Sequence, residues 1–93
     1  MTILKFIGAL RHASGTQQTS IHLESKSSLL DIINIITLEL PTLRANIIDE
    51  NLKDPKPNSL ILINGKEISV LDGLNSLVDE NDEIVFVPVV HGG

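Results

Sequence analysis

Alternation of apolar and polar residues predicts two strands at the start of the chain. The stretches TILKFIGAL and TSIHLE both alternate, with Leu4 and Phe6 on one face of the first and Ile21 and Leu23 on one face of the second. A period of two is typical of a half-buried strand. The segment between them, RHASGTQQ, is small and polar and contains Gly15, which indicates a turn. Together these stretches predict a β-hairpin.

The period changes to three and four residues in the stretch SKSSLLDIINIITLELP, which predicts one long amphipathic helix. Ser27 or Ser28 is suited to cap its first turn, where Asp31 would lie near the positive end of the helix dipole. We expect Pro41 to end this helix or to open the next turn. The predicted apolar face comprises Leu29, Ile32, Ile33, Ile36 and Leu40, widened by Leu30, Ile35 and Leu38.

The stretch after Pro41 is less regular. LRANIIDENL predicts a short second helix that would turn Leu43, Ile47 and Ile48 inward. KDPKPNS has two prolines within three residues, so it is interpreted as a loop.

The last third of the chain predicts three strands. LILI is short and wholly apolar, and we expect it to be buried on both faces. Asn64-Gly65 is a strong hairpin signal, which makes KEISV a return strand. LDGLNSLVDENDE is polar and turn-rich, and IVFVPVV is the last strand, with Pro88 near its end, where a missing N–H costs least.

The element order β-β-α-(α)-β-β-β predicts an α+β domain, in which a mixed sheet of four to five strands curves over one long helix. A length of 93 residues suits one domain, which we place at residues 1–90, followed by a tail at residues 91–93.

Composition narrows the possible functions. The net charge of −5 disfavours direct binding to nucleic acid, which selects basic partners. The absence of cysteine excludes disulfides, a thiolate nucleophile and cysteine zinc sites, and the three histidines show no ligand spacing, so no metal site is predicted. The start of the chain lacks the features of a signal peptide, and no apolar run approaches the ~20 residues of a membrane span. We therefore expect a cytoplasmic protein without a membrane partner.

Three motifs resemble one known family. FIGALRHASG resembles the first strand and loop of the small subunit of molybdopterin synthase and its relatives, LINGKEI their central hairpin, and DENDEIVFVPVVHGG their closing turn, last strand and terminal Gly-Gly. The likeness runs in register from about residue 3 to residue 93. On these motifs the chain resembles the ubiquitin-like sulfur carriers, which include the ubiquitin-related modifier and the archaeal small modifier proteins. The resemblance implies the β-grasp, or ubiquitin-like, fold.

The tail departs from one branch of that family. Molybdopterin synthase small subunits commonly end in a Pro-Pro-Val-Ser-Gly-Gly-like tail, whereas this chain has Pro88, Val89, Val90 and His91 before its glycines. The His-Gly-Gly ending is similar to that of the ubiquitin-related modifier, which works in tRNA thiolation and protein conjugation. The end use of the sulfur therefore stays open: molybdopterin for the molybdenum cofactor, tRNA or protein conjugation.

The resemblance implies that chemistry takes place at Gly93. Its carboxylate would be adenylated with ATP by a ubiquitin-activating-like adenylyltransferase and then converted by a sulfur-donor protein to a thiocarboxylate. Gly92 and Gly93 suit this because residues without a Cβ can enter a narrow channel. The alternative for the two glycines is a frayed end.

The implied protein is a carrier and substrate, not an enzyme, and it binds no cofactor itself. Its further partners would be a molybdopterin synthase large subunit, a tRNA-thiolation enzyme or lysines of target proteins. Two alternatives remain beside sulfur transfer: a protein modifier joined through Gly93 to lysine, and a passive ubiquitin-like interaction module.

Residues upstream of the glycines are candidates for partner binding. Pro88, Val89 and Val90 could contact a groove on a partner or simply complete the last strand. His91 could steer the tail or be a solvated linker residue. Arg11 could pair with an acidic patch on the activating enzyme, although a solvated loop residue is the simpler interpretation, and DENDE is interpreted as a solvated turn.

Overall fold

The computed structural model of the chain describes residues 1–49 and 56–89. The helices there are α1 (Leu10–Ser14), α2 (Leu29–Ile36) and α3 (Pro41–Ile47), with 3-10 turns at Ile68–Val70 and Gly73–Asn75. The strands are β1 (Thr2–Phe6), β2 (Gln18–Ile21), β3 (Ser27–Ser28), β4 (Ile48–Asp49), β5 (Lys56–Pro57), β6 (Ser59–Ile63), β7 (Lys66–Glu67), β8 (Leu77–Val78) and β9 (Glu83–Pro88).

The main sheet has five strands in the order β2-β1-β9-β6-β7. β1 and β9 run parallel, whereas the other neighbours are antiparallel. The sheet is therefore mixed, and its middle strand is the last one in the sequence. This is the β-grasp arrangement that the motifs implied, so the predicted α+β fold and the β1–β2 hairpin are confirmed.

One face of the sheet packs against the helices. Because residues alternate along a strand, every second residue of β1, β6 and β9 enters the core. Burying one such side chain contributes about 1.5–3 kcal/mol to folding. The apolar side chains from the sheet, α2 and α3 with no exposure are Leu4, Leu29, Ile32, Ile33, Leu43, Ile47, Ile61, Ile84 and Phe86.

The single long helix is not confirmed. α2 ends at Ile36, and the Thr37 hydroxyl donates to the Ile33 carbonyl oxygen at 2.6 Å. Pro41 begins α3, since proline fits the first position of a helix, where its missing N–H has no partner to lose. The predicted cap is confirmed at Ser28, whose Oγ accepts from the Asp31 N–H at 3.1 Å.

The predicted apolar face of the helix was too wide. Ile35 is 59% exposed and Leu38 is 84% exposed, so both side chains point outward. The inward positions of Leu43 and Ile47 in the second helix are confirmed, because both are fully buried.

Three local predictions need correction. RHASGTQQ contains all of α1 after Leu10, and Gly15 ends this helix in the left-handed region at φ 79°. LILI is covered on one face, since Leu60 is 38% exposed while Ile61 is fully buried. KEISV forms a strand of two residues and then a 3-10 turn.

The segment KDPKPNS is also less simple than a loop, because β5 at its end pairs with β4, while residues 50–55 lie outside the described part. The Asn64-Gly65 hairpin is confirmed, with φ of 50° and 82° at the two residues, as a type I′ turn requires.

The described residues share one core. The domain boundary between residues 90 and 91 lies outside them and stays a prediction. Within residues 1–49 and 56–89, no helix is long and apolar enough to cross a membrane.

Candidate functional site

The candidate site begins where the central strand leaves the sheet. β9 ends at Pro88, and Val89 is the last residue that the structure describes. The other predicted site residues lie outside the described part, namely Val90, His91, Gly92 and Gly93. The geometry available is therefore that of the base of the tail.

Two aromatic rings fix the end of β9 against β1. Phe6 and Phe86 are Cα partners in the parallel ladder, and their rings stack with centroids 5.4 Å apart. The Ile7 N–H continues the ladder by donating to the Phe86 carbonyl oxygen at 3.0 Å. Stacking of this kind adds about 0.5–1.5 kcal/mol beyond area burial. β9 is thus held against β1 up to Phe86, two residues before the strand ends at Pro88.

Gly8 lets the first loop approach Pro88. Its φ of +58° lies in the left-handed region, and a Cβ added there would stand 3.3 Å from Pro88 Cγ. A side chain would therefore be strained by the backbone and crowded by the ring. This close approach lies at the point where β9 ends.

α1 follows this contact directly. The Arg11 N–H donates to the Gly8 carbonyl oxygen at 3.0 Å, and Arg11 Nε donates to the Phe6 carbonyl oxygen at 3.4 Å. Arg11 thus lies on a helix that the sequence did not predict, and its exposed side chain contributes to holding the loop.

A small cleft of about 150 Å³ lies beside the exit. Asn58 forms part of its wall and is anchored to α3 by donating from Nδ2 to the Ala45 carbonyl oxygen at 3.0 Å. The cleft has polar and apolar walls, which suits an extended backbone more than an aromatic ligand. Its lining is Ala9, Leu10, Asn46, Asn58, Pro88 and Val89.

The uncovered face of the sheet next to the exit is apolar. Leu60 lies opposite Val87, and Leu62 lies opposite Val85, so these side chains form two cross-strand pairs. We call this surface the exit face, and its residues are Ile7, Leu60, Leu62, Val85, Val87 and Val89.

Several side chains of the exit face are open to solvent. The exposed fractions are 37% for Ile7, 38% for Leu60 and 47% for Val89. An exposed apolar patch beside a chain end is typical of a protein-docking surface. An ion pair lies on the same strands, between Lys5 Nζ and Glu83 Oε2 at 3.0 Å.

Among the described residues, the strongest electrostatic perturbation lies at the opposite end of β9. The N-terminal ammonium lies 2.8 Å from Glu80 Oε1, the Leu23 N–H donates to Glu80 Oε2, and His22 Nδ1 lies 3.1 Å from Oε1. The ammonium is the largest cause that lowers the pKa of Glu80 to about 2, followed by the Leu23 N–H. This cluster ties the first strand to the turn before β9 and lies away from the exit.

The acidic stretch DENDE forms the predicted turn. The Asp79 N–H donates to Asp82 Oδ2 at 2.8 Å, and Asn64 Nδ2 donates to Asp82 Oδ1 at the same distance. Across residues 1–49 and 56–89, no group of three His, Cys, Asp or Glu side chains is arranged to hold a metal ion.

The sequence singled out Pro88 and Val89 at the base of the tail, but not the other residues of the exit face. Leu60 was assigned to a strand covered on both sides, and Ile7 was not singled out. The available signal was Gly8, because a glycine that follows an alternating strand indicates a close approach of another segment.

Comparison with known proteins agrees with the fold. The family model described as Urm1 (ubiquitin related modifier) matches residues 2–93. Small archaeal modifier protein 3 of Haloferax volcanii is 26% identical over 90 residues, which cover 97% of this chain and 96% of that protein.

Solved structures show the same arrangement. The solution structure of small archaeal modifier protein 1 from Methanosarcina acetivorans has a TM-score of 0.80 at 32% identity, covering 99% of this chain and 95% of that one. The crystal structure of Urm1 from Sulfolobus solfataricus has a TM-score of 0.66 at 25% identity, covering 94% and 99%.

Proposed function

The chain belongs to the ubiquitin-related modifier (Urm1) family, and we propose that it is a sulfur carrier that works through a thiocarboxylate on Gly93. Members of this family and its neighbours are small ubiquitin-like carriers and modifiers rather than catalysts. The function therefore depends on delivering the tail to the active sites of other proteins.

The proposed chemistry has three steps. An oxygen of the Gly93 carboxylate attacks the α-phosphorus of ATP, and pyrophosphate leaves to give an acyl-adenylate. The outer sulfur of a persulfide on the donor protein then attacks the acyl carbon, and AMP leaves to give an acyl disulfide. A thiol of a partner protein finally attacks the donor's inner sulfur, which forms a disulfide with the donor and releases the Gly93 thiocarboxylate. ATP is bound by the activating partner, an adenylyltransferase of the ubiquitin-activating type, so this chain needs no cofactor of its own. ATP-dependent activation of this kind is consistent with a cytoplasmic protein.

The exit face is the observation that carries the proposal. It continues from the central strand, and Val89 joins it to the tail. An enzyme that docks on Leu60 and Val87 would hold the base of the tail at a fixed position, while Gly92 and Gly93 supply the slender end that enters its active site. Orientation of this kind converts the encounter of carboxylate and ATP into a reaction within one complex.

The exit face also suits the partners that would receive the sulfur. A molybdopterin synthase large subunit and a tRNA-thiolation enzyme both need the same approach of a tail to a reacting centre. We propose that either would use this surface in turn, since a mainly apolar patch can pair with more than one apolar groove.

A second candidate is covalent protein modification. The names of the family and of the relative, ubiquitin related modifier and small archaeal modifier protein, favour it. In this reaction the ε-amine of a target lysine attacks the activated Gly93 acyl group and forms an isopeptide bond. The tail and the exit face would serve both reactions, and the presence of Gly-Gly remnants on lysines of other proteins would establish the second.

The test is to isolate the protein from its own cells and run it on a gel with an organomercury reagent, which retards thiocarboxylates. Three variants follow the wild type: deletion of Gly93, Leu60→Lys on the exit face and Leu77→Lys. Leu77 is 65% exposed on β8, so this change is a matched control away from the exit.

We expect a retarded band from the wild type and from the Leu77→Lys control. Deletion of Gly93 should abolish it, and Leu60→Lys should reduce it at least tenfold because a lysine ammonium opposes burial against an apolar groove. An unmodified carboxylate in the wild type, with no conjugates on other proteins, would overturn the proposal. Equal loss in Leu60→Lys and Leu77→Lys would remove the exit face from it.

A further inference from the structure

β2 is an edge strand of the main sheet, and an apolar groove lies between it and α2. We propose that this edge and groove bind an extended, non-acidic peptide segment of a partner protein, which adds to the sheet as a sixth strand. The binding is separate from the chemistry at Gly93 and needs no activation of the tail.

The free edge offers backbone groups for pairing. The Phe6 N–H donates to the Gln17 carbonyl oxygen at 2.9 Å, which makes this a hydrogen-bonded pair of the antiparallel β1–β2 ladder. Because such pairs alternate, Thr19 and Ile21 also bond to β1, opposite Leu4 and Thr2.

Ser20 therefore points its N–H and C=O away from β1. Within the described part of the chain, neither group has a protein hydrogen-bond partner. The outward carbonyl oxygen of Gln18 accepts only from the neighbouring Thr16 hydroxyl, at 2.9 Å. A strand with an open row of donors and acceptors is a template for strand addition.

The groove beside this edge is apolar and of useful size. Its volume is about 280 Å³. A cavity of about 150 Å³ accepts a benzene ring, so the groove has room for roughly two aliphatic side chains. The apolar side chains of its lining are Phe6, Ile21, Ile35, Ile36, Leu40 and Leu43.

The geometry of the edge and that of the groove match. The side chains of Thr19 and Ile21 line the groove, and the Ser20 side chain lies on the opposite face of β2. The backbone N–H and C=O of Ser20 lie in the plane of the sheet and point away from β1. A strand added beside β2 would therefore turn every second side chain into the groove, at a spacing of about 6.6–6.8 Å. The occupant that fits has two aliphatic residues separated by one residue.

Charge limits the occupant further. The described lining contains no charged side chain, and the chain as a whole carries a net charge of −5. Glu39 on the α2 side adds a carboxylate beside the groove. A peptide without acidic residues, flanked by lysine or arginine, complements this environment.

A second copy of the chain fits less well. It would bring another −5 to the edge. Its own β2 would offer Ile21 as the one aliphatic residue that faces the groove, beside Thr19. This leaves much of the volume empty, so a partner peptide with two aliphatic residues is favoured.

The test uses a peptide of stated sequence, acetyl-Lys-Thr-Ile-Thr-Ile-Thr-Lys-amide, titrated into the isotope-labelled full chain. A control peptide of the same composition, acetyl-Lys-Thr-Thr-Ile-Ile-Thr-Lys-amide, cannot turn both isoleucines into the groove. Two-dimensional NMR follows the backbone amides of β2 and the methyl groups of Ile35 and Ile36, and the shifts give the affinity.

Two variants separate the edge from the groove. Ser20→Pro removes the outward N–H while leaving the ladder to β1 intact, since proline is tolerated on an edge strand when its nitrogen faces solvent. Ser20→Ala is its control. Ile35→Lys places a charge at the groove, and Val70→Lys, at a residue that is 73% exposed, is the matched change elsewhere. Circular dichroism checks that each variant is folded.

We expect saturable shifts at Ser20 and at the Ile35 and Ile36 methyls, with affinity at least tenfold weaker for the control peptide, for Ser20→Pro and for Ile35→Lys. Ser20→Ala and Val70→Lys should bind within twofold of the wild type. Unchanged binding by folded Ser20→Pro, or shifts confined to the exit face, would overturn the proposal. Dimerisation of the chain alone through β2, seen by sedimentation and lost in Ser20→Pro, would also overturn it.

Discussion

The close approach of Gly8 to Pro88, at the base of the tail, allows a quantitative prediction of how a side chain at Gly8 would change the free energy of unfolding. Replacing Gly8 with alanine adds two costs. The backbone must stay at φ +58°, and the new Cβ must sit 3.3 Å from Pro88 Cγ, which is tighter than an ordinary carbon contact. Gly73 supplies a matched control, because its φ of +57° is nearly the same but no atom lies within 4 Å of its added Cβ.

The size of each cost follows from general values. A left-handed alanine costs about 1–2 kcal/mol, and the stiffer unfolded chain returns about 0.4–1 kcal/mol in both variants. Crowding against Pro88 adds about 1 kcal/mol, at the low end of the range for overpacking. We therefore expect about 0.5–1 kcal/mol of destabilisation for Gly73→Ala and about 1.5–2 kcal/mol for Gly8→Ala.

Urea unfolding followed by circular dichroism measures the difference. With a slope of about 1–1.5 kcal/mol per molar for a small chain, the midpoint of Gly8→Ala should lie ~0.7–1 M below that of Gly73→Ala. Combining Gly8→Ala with Pro88→Ala should recover most of this gap, because the ring that causes the crowding is gone. Equal midpoints for the two single variants would refute the reasoning, since backbone strain alone would then account for both.

Two further predictions concern the end of β9 opposite the exit. Asn64→Ala should lower the unfolding free energy by about 2 kcal/mol, because it puts alanine at φ 50° and removes two hydrogen bonds. These are the bonds from Asn64 Nδ2 to Asp82 at 2.8 Å and from the Glu83 N–H to Asn64 Oδ1 at 2.9 Å. Asn64→Gly keeps the turn but loses both bonds, so its melting temperature should lie between those of the wild type and Asn64→Ala. The pKa of Glu80 is about 2 in the folded chain, below its ordinary 4.5, so on acidification the Glu80 carboxylate is protonated first in the unfolded chain. The stability that the ionised Glu80 contributes is therefore present above pH 4.5 and is lost as pH falls towards 2. Urea midpoints measured across this range should fall less steeply for Glu80→Gln than for the wild type; a wild-type slope in Glu80→Gln would contradict the assignment.

The features that were predicted well from the sequence depend on residues that are close together in the chain. Asn64-Gly65 specifies its turn because both residues tolerate positive φ, and the Ser28 cap needs only the backbone N–H of Asp31 three positions on. The alternation of Leu4 and Phe6 defined β1 for the same reason. Local geometry of this kind does not depend on what the rest of the chain covers.

The features that sequence missed depend on which face is covered. LILI was expected to be buried on both sides, but the helices cover one face of the sheet, and Leu60 lies on the other. Ile35 and Leu38 were assigned to a core-facing stripe, yet both side chains are largely exposed. Ile35 lies on the outer side of α2, and Leu38 lies beyond the end of this helix at Ile36. An apolar residue in a pattern does not reveal whether another element will pack on it.

The candidate site divides along the same line. Pro88 and Val89 were singled out from the sequence because they precede the glycines in the chain. Their neighbours were not, because β6 and β9 are brought together by the fold, and the pairing of Leu60 with Val87 follows from the register of that ladder. The base of the tail was therefore visible in the sequence, and the surface around it was not.

The exit face and the β2 groove lie on opposite faces of the sheet, and this placement bears on how a carrier works. The tail must leave one active site before it can enter the next, so contacts at Leu60 and Val89 have to be broken at each transfer. A peptide held beside Ser20 does not contact these residues and need not be released. Such a second attachment would keep the freed tail at a high effective concentration near the next enzyme. The fold thus allows a firm contact and a transient one to coexist on one small domain.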